Sequence, residues 1–141
     1  MADPMADIEA IKQLKARYFR TLDTKDWAAM RQVFSDDVVM DTTAAGGSRV
    51  AGAEEIMAFL REVIGDVTTV HHGHTPELEL TSATAATGIW AMEDMLRWPD
   101  GREMHGYGHY HETYEKAEGT WRLKTLTLTR LRVDWTEPAG P

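Results

Sequence analysis

The histidine run 71–74 is the stretch of this chain whose residue types and spacing best suit proton-transfer chemistry. It reads His71-His72-Gly73-His74 and lies in a segment of strand composition. Because side chains alternate along a strand, His71 should point away from the face that His72 and His74 share. One histidine can then enter a pocket, where a nearby carboxylate would make it an efficient proton acceptor near neutral pH. Three ordinary, partly exposed histidines would give the same pattern.

Tyr18 and Asp23 could supply the partners of such a histidine. They stand five residues apart at the end of the first predicted helix. On an ideal helix they lie about 140° apart, so both reach the sheet side if Asp23 sits on a frayed last turn. The alternative is that Tyr18 belongs to the core and that Asp23 belongs to the turn or caps the second helix.

A carboxylate and two guanidinium groups occur in the strand region. Asp94 shares a predicted face with Trp90 and other apolar residues, where it must be hydrogen-bonded or face a cavity. Arg130 and Arg132 are predicted to share a face near the end of the last strand, where a guanidinium can bind a ligand carbonyl or an acid. For at least one of these arginines a surface ion pair is the simpler expectation.

A metal site is the other chemistry that the histidines suggest. His109, His111 and Glu115 have the His-x-His-x-x-x-Glu spacing of a cupin site, and His72-x-His74 is a second same-face pair. The flanking glycines and the second motif of a cupin are missing, and three amino-terminal helices do not belong to that barrel. We therefore predict no metal site and no cofactor.

Helices must position Tyr18 and Asp23, and the first half of the chain predicts three of them. Apolar residues at three- and four-residue steps indicate a helix over 7–23, with Asp7 or Asp3 as its cap and with Lys12, Lys15 and Arg17 facing outward. A shorter helix is predicted over 27–34 and a third over 53–64, which Gly65 would end. Residues 38–40 are predicted to form a short strand, and 42–49 a loop.

Strands dominate the second half. Segments 67–70, 77–80 and 83–98 have strand composition, and residues 104–135 predict a long hairpin with its turn at 116–120. One face of its first strand carries Gly106, Gly108, Tyr110, Glu112 and Tyr114. In the return strand the apolar residues fall on odd positions up to Leu123 and on even positions from Leu126. The apolar side chains can stay on one face only if the strand contains a bulge, which predicts a curled sheet. The pattern is that of an α+β fold with helices on one face of an antiparallel sheet.

Length and composition limit the function classes. The chain has 141 residues, 43% of them hydrophobic, which predicts one domain over 7–135 between flexible ends at 1–6 and 136–141. A net charge of −8 without a basic cluster argues against binding to nucleic acid or an anionic membrane. The chain has no cysteine, and neither a signal-peptide pattern nor an apolar run of membrane-spanning length is evident. A cytoplasmic protein is the default expectation.

Three segments of the chain resemble the SnoaL-like branch of the nuclear transport factor 2-like superfamily, over about residues 7 to 135. They are IKQLKARYFRTLDTKDWAAMRQVFSDDVVMD, TTVHHGHTPELEL and GHYHETYEKAEGTWRLKTLTLTRLR. The superfamily includes scytalone dehydratase, bile-acid 7α-dehydratases, a hexachlorocyclohexane dehydrochlorinase, polyketide cyclases and ketosteroid isomerase. The resemblance implies a cone-shaped α+β barrel, with three amino-terminal helices on a strongly curved, mostly antiparallel sheet.

The resemblance also implies a site. Asp23, the His71 of the Thr69-Val70-His71 run, and Tyr18 match residues that the elimination enzymes use, so they are the expected catalytic group. We expect Tyr110, Asp94, Arg130 and Trp90 to bind the substrate. The implied function is a cofactor-independent, dehydratase-like lyase acting on a small hydrophobic cyclic or polyketide-like molecule, in a homodimer or homotrimer. An isomerase or cyclase with the same dyad, or a non-catalytic binding or dimerisation module, is the alternative.

Overall fold

The computed structural model describes residues 3–138, which form one six-stranded sheet with three α-helices packed on it. The helices are α1 (Pro4–Asp23), α2 (Trp27–Arg31) and α3 (Ala53–Ile64), with a 3₁₀ turn at Thr43–Ala45. The strands are β1 (Phe34–Asp41), β2 (Arg49–Ala51), β3 (Thr68–Leu80), β4 (Ala85–Arg97), β5 (Glu103–Ala117) and β6 (Thr120–Thr136). The predicted flexible ends lie partly outside the described residues.

The sheet has the strand order β2-β1-β6-β5-β4-β3. Its pairs are antiparallel except for β1 with β6, which run parallel. The predicted α+β class and the mostly antiparallel curved sheet are confirmed. The sheet is open rather than closed, since β2 and β3 are its two edges.

Helix α1 begins three residues earlier than predicted. The Asp3 side chain accepts a hydrogen bond from the Met5 amide at 3.0 Å and so caps the helix, with Pro4 in its first turn. Asp7 is buried instead of capping. It accepts hydrogen bonds from Lys116 Nζ at 3.0 Å and Trp121 Nε1 at 2.9 Å, which tie the start of α1 to the β5–β6 hairpin.

Two predicted boundaries were wrong because pairing across the sheet overrides local periodicity. The second helix ends at Arg31, and strand β1 starts at Phe34, because Phe34 pairs with Leu123 of β6. The two short strands predicted at 67–70 and 77–80 are one strand, β3. It pairs with β4 throughout, apart from an irregularity between His74 and Glu77 where Thr75 adopts a φ of 39°.

Two bulges bend the β5–β6 hairpin. The predicted parity switch is confirmed, because Thr113 pairs with Thr125 and Tyr114 with Leu123, which leaves Lys124 as the extra residue. A second register shift lies between Tyr107 and Gly108. The apolar core fills the space between the concave face and the helices. Within residues 3–138 the structure contains no helix long and apolar enough to cross a membrane.

Candidate active site

Asp23 and His71 are in direct contact through two hydrogen bonds. Asp23 Oδ1 lies 2.7 Å from His71 Nδ1, and Asp23 Oδ2 accepts the backbone N–H of His71 at 2.8 Å. The carboxylate thereby fixes both the imidazole ring and the strand that carries it. When Nδ1 donates to this carboxylate, the lone pair of Nε2 is left free on the opposite edge of the ring.

Thr69 completes the support of the carboxylate. Its hydroxyl donates to Asp23 Oδ1 at 2.9 Å and accepts a hydrogen bond from Lys25 Nζ at 2.8 Å. Burial lowers the pKa of Lys25, partly offset by the nearby Asp23 carboxylate. The Thr69-x-His71 spacing could have indicated that Thr69 supports Asp23, because residues two apart on a strand share a face. Both side chains are buried.

The end of α1 delivers Asp23 to β3. Helix α2 has its own cap, because the Asp26 side chain accepts from the Ala29 amide at 3.3 Å. The alternative in which Asp23 caps the second helix is therefore wrong. The alternation of β3 is as predicted: His71 is buried, whereas His72 and His74 are exposed on the outer face.

Asp94 and Arg130 lie beside the free edge of His71. His71 Nε2 is 3.9 Å from Asp94 Oδ2, too far for a hydrogen bond. Asp94 instead receives both arms of the Arg130 guanidinium, at 2.7 and 2.9 Å. Gly106 makes room for this pair, because a Cβ at that position would collide with both side chains. The buried Nε of Arg130 has no hydrogen-bond partner in the structure.

The prediction that Arg130 and Arg132 share a face was wrong. Gly108 pairs with Arg130 and Tyr107 pairs with Arg132, so the bulge at Leu131 turns the two arginines to opposite faces. Arg130 is largely buried beside Asp94, whereas Arg132 is exposed and pairs with Asp134 at 3.0 Å. The surface ion pair expected for one of them is therefore present at Arg132.

Aromatic rings line the interior next to the dyad. Phe19 lies nearly parallel to the His71 ring, with centroids 6.4 Å apart, and it also contacts Tyr110 and Tyr18. Tyr18 and Tyr110 are almost fully buried and meet edge to face at 6.1 Å. Burial, reinforced by the Glu112 carboxylate, raises the pKa of Tyr18 far above its ordinary value. Burial also raises the pKa of Tyr110, so both phenols stay protonated and can act as hydrogen-bond donors.

A buried ion pair, which the sequence analysis missed, lies beneath these tyrosines. Lys15 Nζ is 2.6 Å from Glu112 Oε2, and the ammonium also lies 3.9 Å from the Tyr18 ring centroid and 3.7 Å from that of Tyr110. The outward orientation predicted for Lys15 was wrong, since the side chain is 1% exposed. Burial lowers the pKa of Lys15, and Glu112 opposes that shift. The signal was present in the spacing, because Lys15 follows Ile11 by four residues and Glu112 was predicted to share a face with Tyr110 and Tyr114.

Trp90 forms part of the wall. Its indole Nε1 donates to the Tyr114 hydroxyl at 2.9 Å, and that hydroxyl donates to Glu112 Oε1 at 2.6 Å. The Trp90 ring therefore presents carbon atoms to the interior. Gly73 lies against it, because a Cβ there would come within 3.2 Å of Trp90 and 2.7 Å of Phe19.

The sheet end beyond Asp94 carries exposed apolar side chains. Trp98 stacks on Trp135 with centroids 5.4 Å apart, and Trp135, Leu131 and Val133 are all exposed. His71, by contrast, is 9% exposed beneath Phe19. The exposed apolar side chains form a rim at this end of the sheet, and Phe19 lies beside the buried His71.

The cupin-like set His109, His111 and Glu115 is not gathered into a metal site. Glu115 pairs with Lys124 at 2.9 Å, and among residues 3–138 the group whose ligand atoms converge is His72, His74 and Glu93 on the outer face. Neither set faces the dyad.

Comparison with known proteins places the chain in a family. The SnoaL-like domain family matches residues 3–127. The chain belongs to this family. Among curated proteins, the probable cyclase FGR4 of Gibberella zeae is 23% identical over 137 residues, covering 86% of this chain and 89% of the relative.

Solved structures share the whole fold. A type 2 hexachlorocyclohexane dehydrochlorinase, LinA, superposes with a TM-score of 0.86 at 20% identity, covering 97% of this chain and 95% of the other. A provisionally named scytalone dehydratase of Novosphingobium aromaticivorans has a TM-score of 0.84 at 22% identity, covering 92% and 87%. The Kfla4162 protein of Kribbella flavida has a TM-score of 0.85 at 22% identity, covering 94% and 95%. These likenesses establish the fold.

Proposed function

We propose that the protein is a cofactor-independent, dehydratase-like lyase in which His71 removes a proton from carbon and Asp23 holds the imidazole. The observation that carries this proposal is the contact of 2.7 Å between Asp23 Oδ1 and His71 Nδ1. A carboxylate on Nδ1 fixes the tautomer whose Nε2 accepts a proton, and it stabilises the imidazolium that results. This arrangement is that of a general base.

The elimination needs only groups that line the interior. His71 Nε2 takes a proton from a carbon next to a carbonyl, and the C–H electron pair moves towards the carbonyl oxygen. The bond between the next carbon and the leaving group then breaks as a double bond forms between the two carbons. A hydroxyl leaves as water because the imidazolium donates the proton to it. A halide leaves as the anion, and the imidazolium then releases its proton to solvent.

Tyr18 and Tyr110 supply neutral donors for the oxygen on which charge develops. Their raised pKa values keep both phenols protonated at neutral pH. A donor that is already oriented in a dry interior stabilises developing charge at little reorganisation cost. Tyr18 is our candidate for this role, with Tyr110 beside it.

Asp94, Arg130 and Trp90 are our candidates for substrate binding. The Asp94–Arg130 pair presents a planar, polar surface 3.9 Å from His71 Nε2. The Trp90 ring and the apolar rim at Trp98 and Trp135 favour a hydrophobic cyclic or polyketide-like molecule. The relatives named as a dehydrochlorinase, a scytalone dehydratase and a cyclase support small organic substrates.

A cyclase or isomerase is the second candidate, favoured by the similarity to the probable cyclase FGR4. It shares the first step with the lyase. In a cyclase the carbanion attacks a second carbonyl of the same molecule, and in an isomerase the proton returns at another carbon. A non-catalytic binding module would use neither step.

Turnover of a panel of cyclic β-hydroxy and β-halo ketones tests the proposal, with products identified by mass spectrometry in H₂O and D₂O. We expect His71→Ala and Asp23→Asn each to lower turnover by about 10²–10⁴-fold. His111→Ala, an exposed histidine on the outer face, is the matched control and should keep full activity. A product that has lost water or halide indicates the lyase. A product that has gained deuterium but has kept its hydroxyl or halide indicates an isomerase. Full activity in both dyad variants with unchanged melting temperatures would exclude the proposed base.

We also propose a homodimer or homotrimer. Ile89 and Met95 are exposed on the outer sheet face, where a second copy would cover them. Light scattering at micromolar concentration should give twice or three times the chain mass, and a monomer would contradict this proposal.

A further inference from the structure

Three histidines surround one carboxylate on the outer face of the sheet, opposite the dyad. Glu93 Oε1 lies 3.5 Å from His74 Nε2 and 3.9 Å from His72 Nδ1, and Glu93 Oε2 lies 3.0 Å from His105 Nε2. One ligand atom each of His72, His74 and Glu93 falls within 4.8 Å of the other two. The dyad chemistry uses none of these residues.

We propose that His72, His74 and Glu93 bind a divalent transition-metal ion, with Zn²⁺ as the reference ion. Two imidazole nitrogens and one carboxylate oxygen form a common zinc donor set, in which a fourth position is left for water or another ligand. The proposal is independent of the lyase reaction, since the ion would lie on the opposite face of the sheet from His71.

The distances fit such an ion. Zinc–nitrogen and zinc–oxygen bonds of about 2.0–2.1 Å in a tetrahedron place ligand atoms roughly 3.4 Å apart. The two distances to Glu93 Oε1, 3.5 and 3.9 Å, are close to that value, so rotation of exposed side chains would complete the site. Residues two apart on a strand share a face, which is why a His-x-His pair on β3 can converge on a residue of β4.

His105 orients the carboxylate. Its Nε2 is 3.0 Å from Glu93 Oε2, and its ring stacks on Tyr107 with centroids 4.5 Å apart. This hydrogen bond holds Glu93 Oε2, while Glu93 Oε1 lies on the side of His72 and His74. Partners of this kind, which hold a ligand in place, contribute to the affinity of metal sites.

The ion would join β3, which carries His71, to β4, which carries Asp94. His71 pairs with Asp94 in the register of β3 and β4, and His72 pairs with Glu93 directly behind them. A metal bound to His72 and Glu93 would therefore fix the strand register at the position of the proposed base. Because the ion binds the folded state, it should raise the melting temperature.

Zinc titration of untagged protein tests the site, with a chromophoric chelator as competitor and Co²⁺ absorption as a report on geometry. We expect one Zn²⁺ per chain, with a rise in melting temperature and the intense visible bands of four-coordinate Co²⁺. His74→Ala and the isosteric Glu93→Gln should each weaken binding by at least about tenfold, and His105→Ala should weaken it by about tenfold or more.

His111→Ala is the control, because it removes a histidine from the same face without touching the cluster, and its affinity should equal that of the wild type. Far-UV circular dichroism without metal should show that all variants are folded. The proposal is overturned if the wild type binds no Zn²⁺, or if His74→Ala and Glu93→Gln bind it as tightly as the wild type.

Discussion

Lys15 of α1 and Glu112 of β5 form an ion pair 2.6 Å long in which neither side chain is more than 1% exposed. The pair joins the helix to the sheet beneath the tyrosines of the candidate site. The remaining carboxylate oxygen of Glu112 accepts a hydrogen bond from the Tyr114 hydroxyl, so both oxygens of Glu112 are paired. Removal of one partner leaves the other charge buried.

Lys15→Met should lower the free energy of unfolding by about 3–5 kcal/mol, because Glu112 loses its counter-ion. The double variant Lys15→Met/Glu112→Leu should lose less than the sum of the single changes. Urea denaturation of the wild type, of Lys15→Met, of Glu112→Leu and of the double variant measures this coupling. Lys12→Met, on the exposed side of α1, is the control and should change stability by less than about 0.5 kcal/mol. Strict additivity would show that the pair makes no coupled contribution.

Asp7 should make stability sensitive to acid. A hydrogen bond from Trp121 and, to a smaller extent, one from Lys116 hold the pKa of Asp7 below its ordinary value of 3.8. A carboxyl group whose pKa is lower in the folded state than in the unfolded state stabilises the protein at a pH above its unfolded-state pKa. This contribution is lost as the pH falls through the folded-state pKa. The stability difference between wild type and Asp7→Asn should therefore be complete at pH 7 and shrink as the pH falls below 3.8.

Urea denaturation at a series of pH values measures that difference. Asp66→Asn, at an exposed position, is the control and should change stability little at pH 7. A difference for Asp7→Asn that stays constant through the acid range would contradict the prediction.

Arg130→Lys should impair the proposed reaction more than the fold. Lysine keeps the charge but cannot make the two parallel hydrogen bonds that Arg130 makes to Asp94 at 2.7 and 2.9 Å. We expect kcat/KM to fall by about 10²-fold. Arg132→Lys, which alters an exposed pair with Asp134, is the matched control. Equal activity in the two variants would remove Arg130 from the site.

Phe19 should protect His71 from chemical modification. His71 is 9% exposed, whereas His72 and His74 are exposed on the other face. Diethyl pyrocarbonate should therefore modify His71 later than His72 and His74, as followed by peptide mass spectrometry. Phe19→Ala should bring the rate at His71 close to theirs. Phe59→Ala, a half-buried phenylalanine of α3, should leave that rate unchanged, and the same result for Phe19→Ala would show that Phe19 is not the cover.

Local patterns predicted much of this fold. The helix predicted over 53–64 and the alternation of Gly106, Tyr110 and Tyr114 on β5 depend only on neighbours along the chain, and both were predicted correctly. The parity switch between Leu123 and Leu126 correctly indicated a bulge. Errors occurred where pairing with distant strands decided the outcome, as at Phe34, which forms a strand because β6 lies beside it.

The candidate site divides in the same way. Alternation along β3 alone separated His71 from His72 and His74, and the resemblance to the family pointed to Asp23. The contact between Asp23 and His71 joins residues 48 positions apart, and that between Lys15 and Glu112 joins residues 97 apart. No local period carries information over such separations.

The sequence by itself determined which face of each element is apolar and which residue types are available for proton transfer, because side-chain direction follows from the repeat of a helix or a strand. Only the tertiary structure decided which carboxylate meets which cation. The position of α1 on the sheet buried Lys15 against Glu112, and one extra residue in β6 turned Arg130 inward and Arg132 outward. A shift of a single residue in register exchanges the two faces of a strand, so these partnerships follow from how the elements pack.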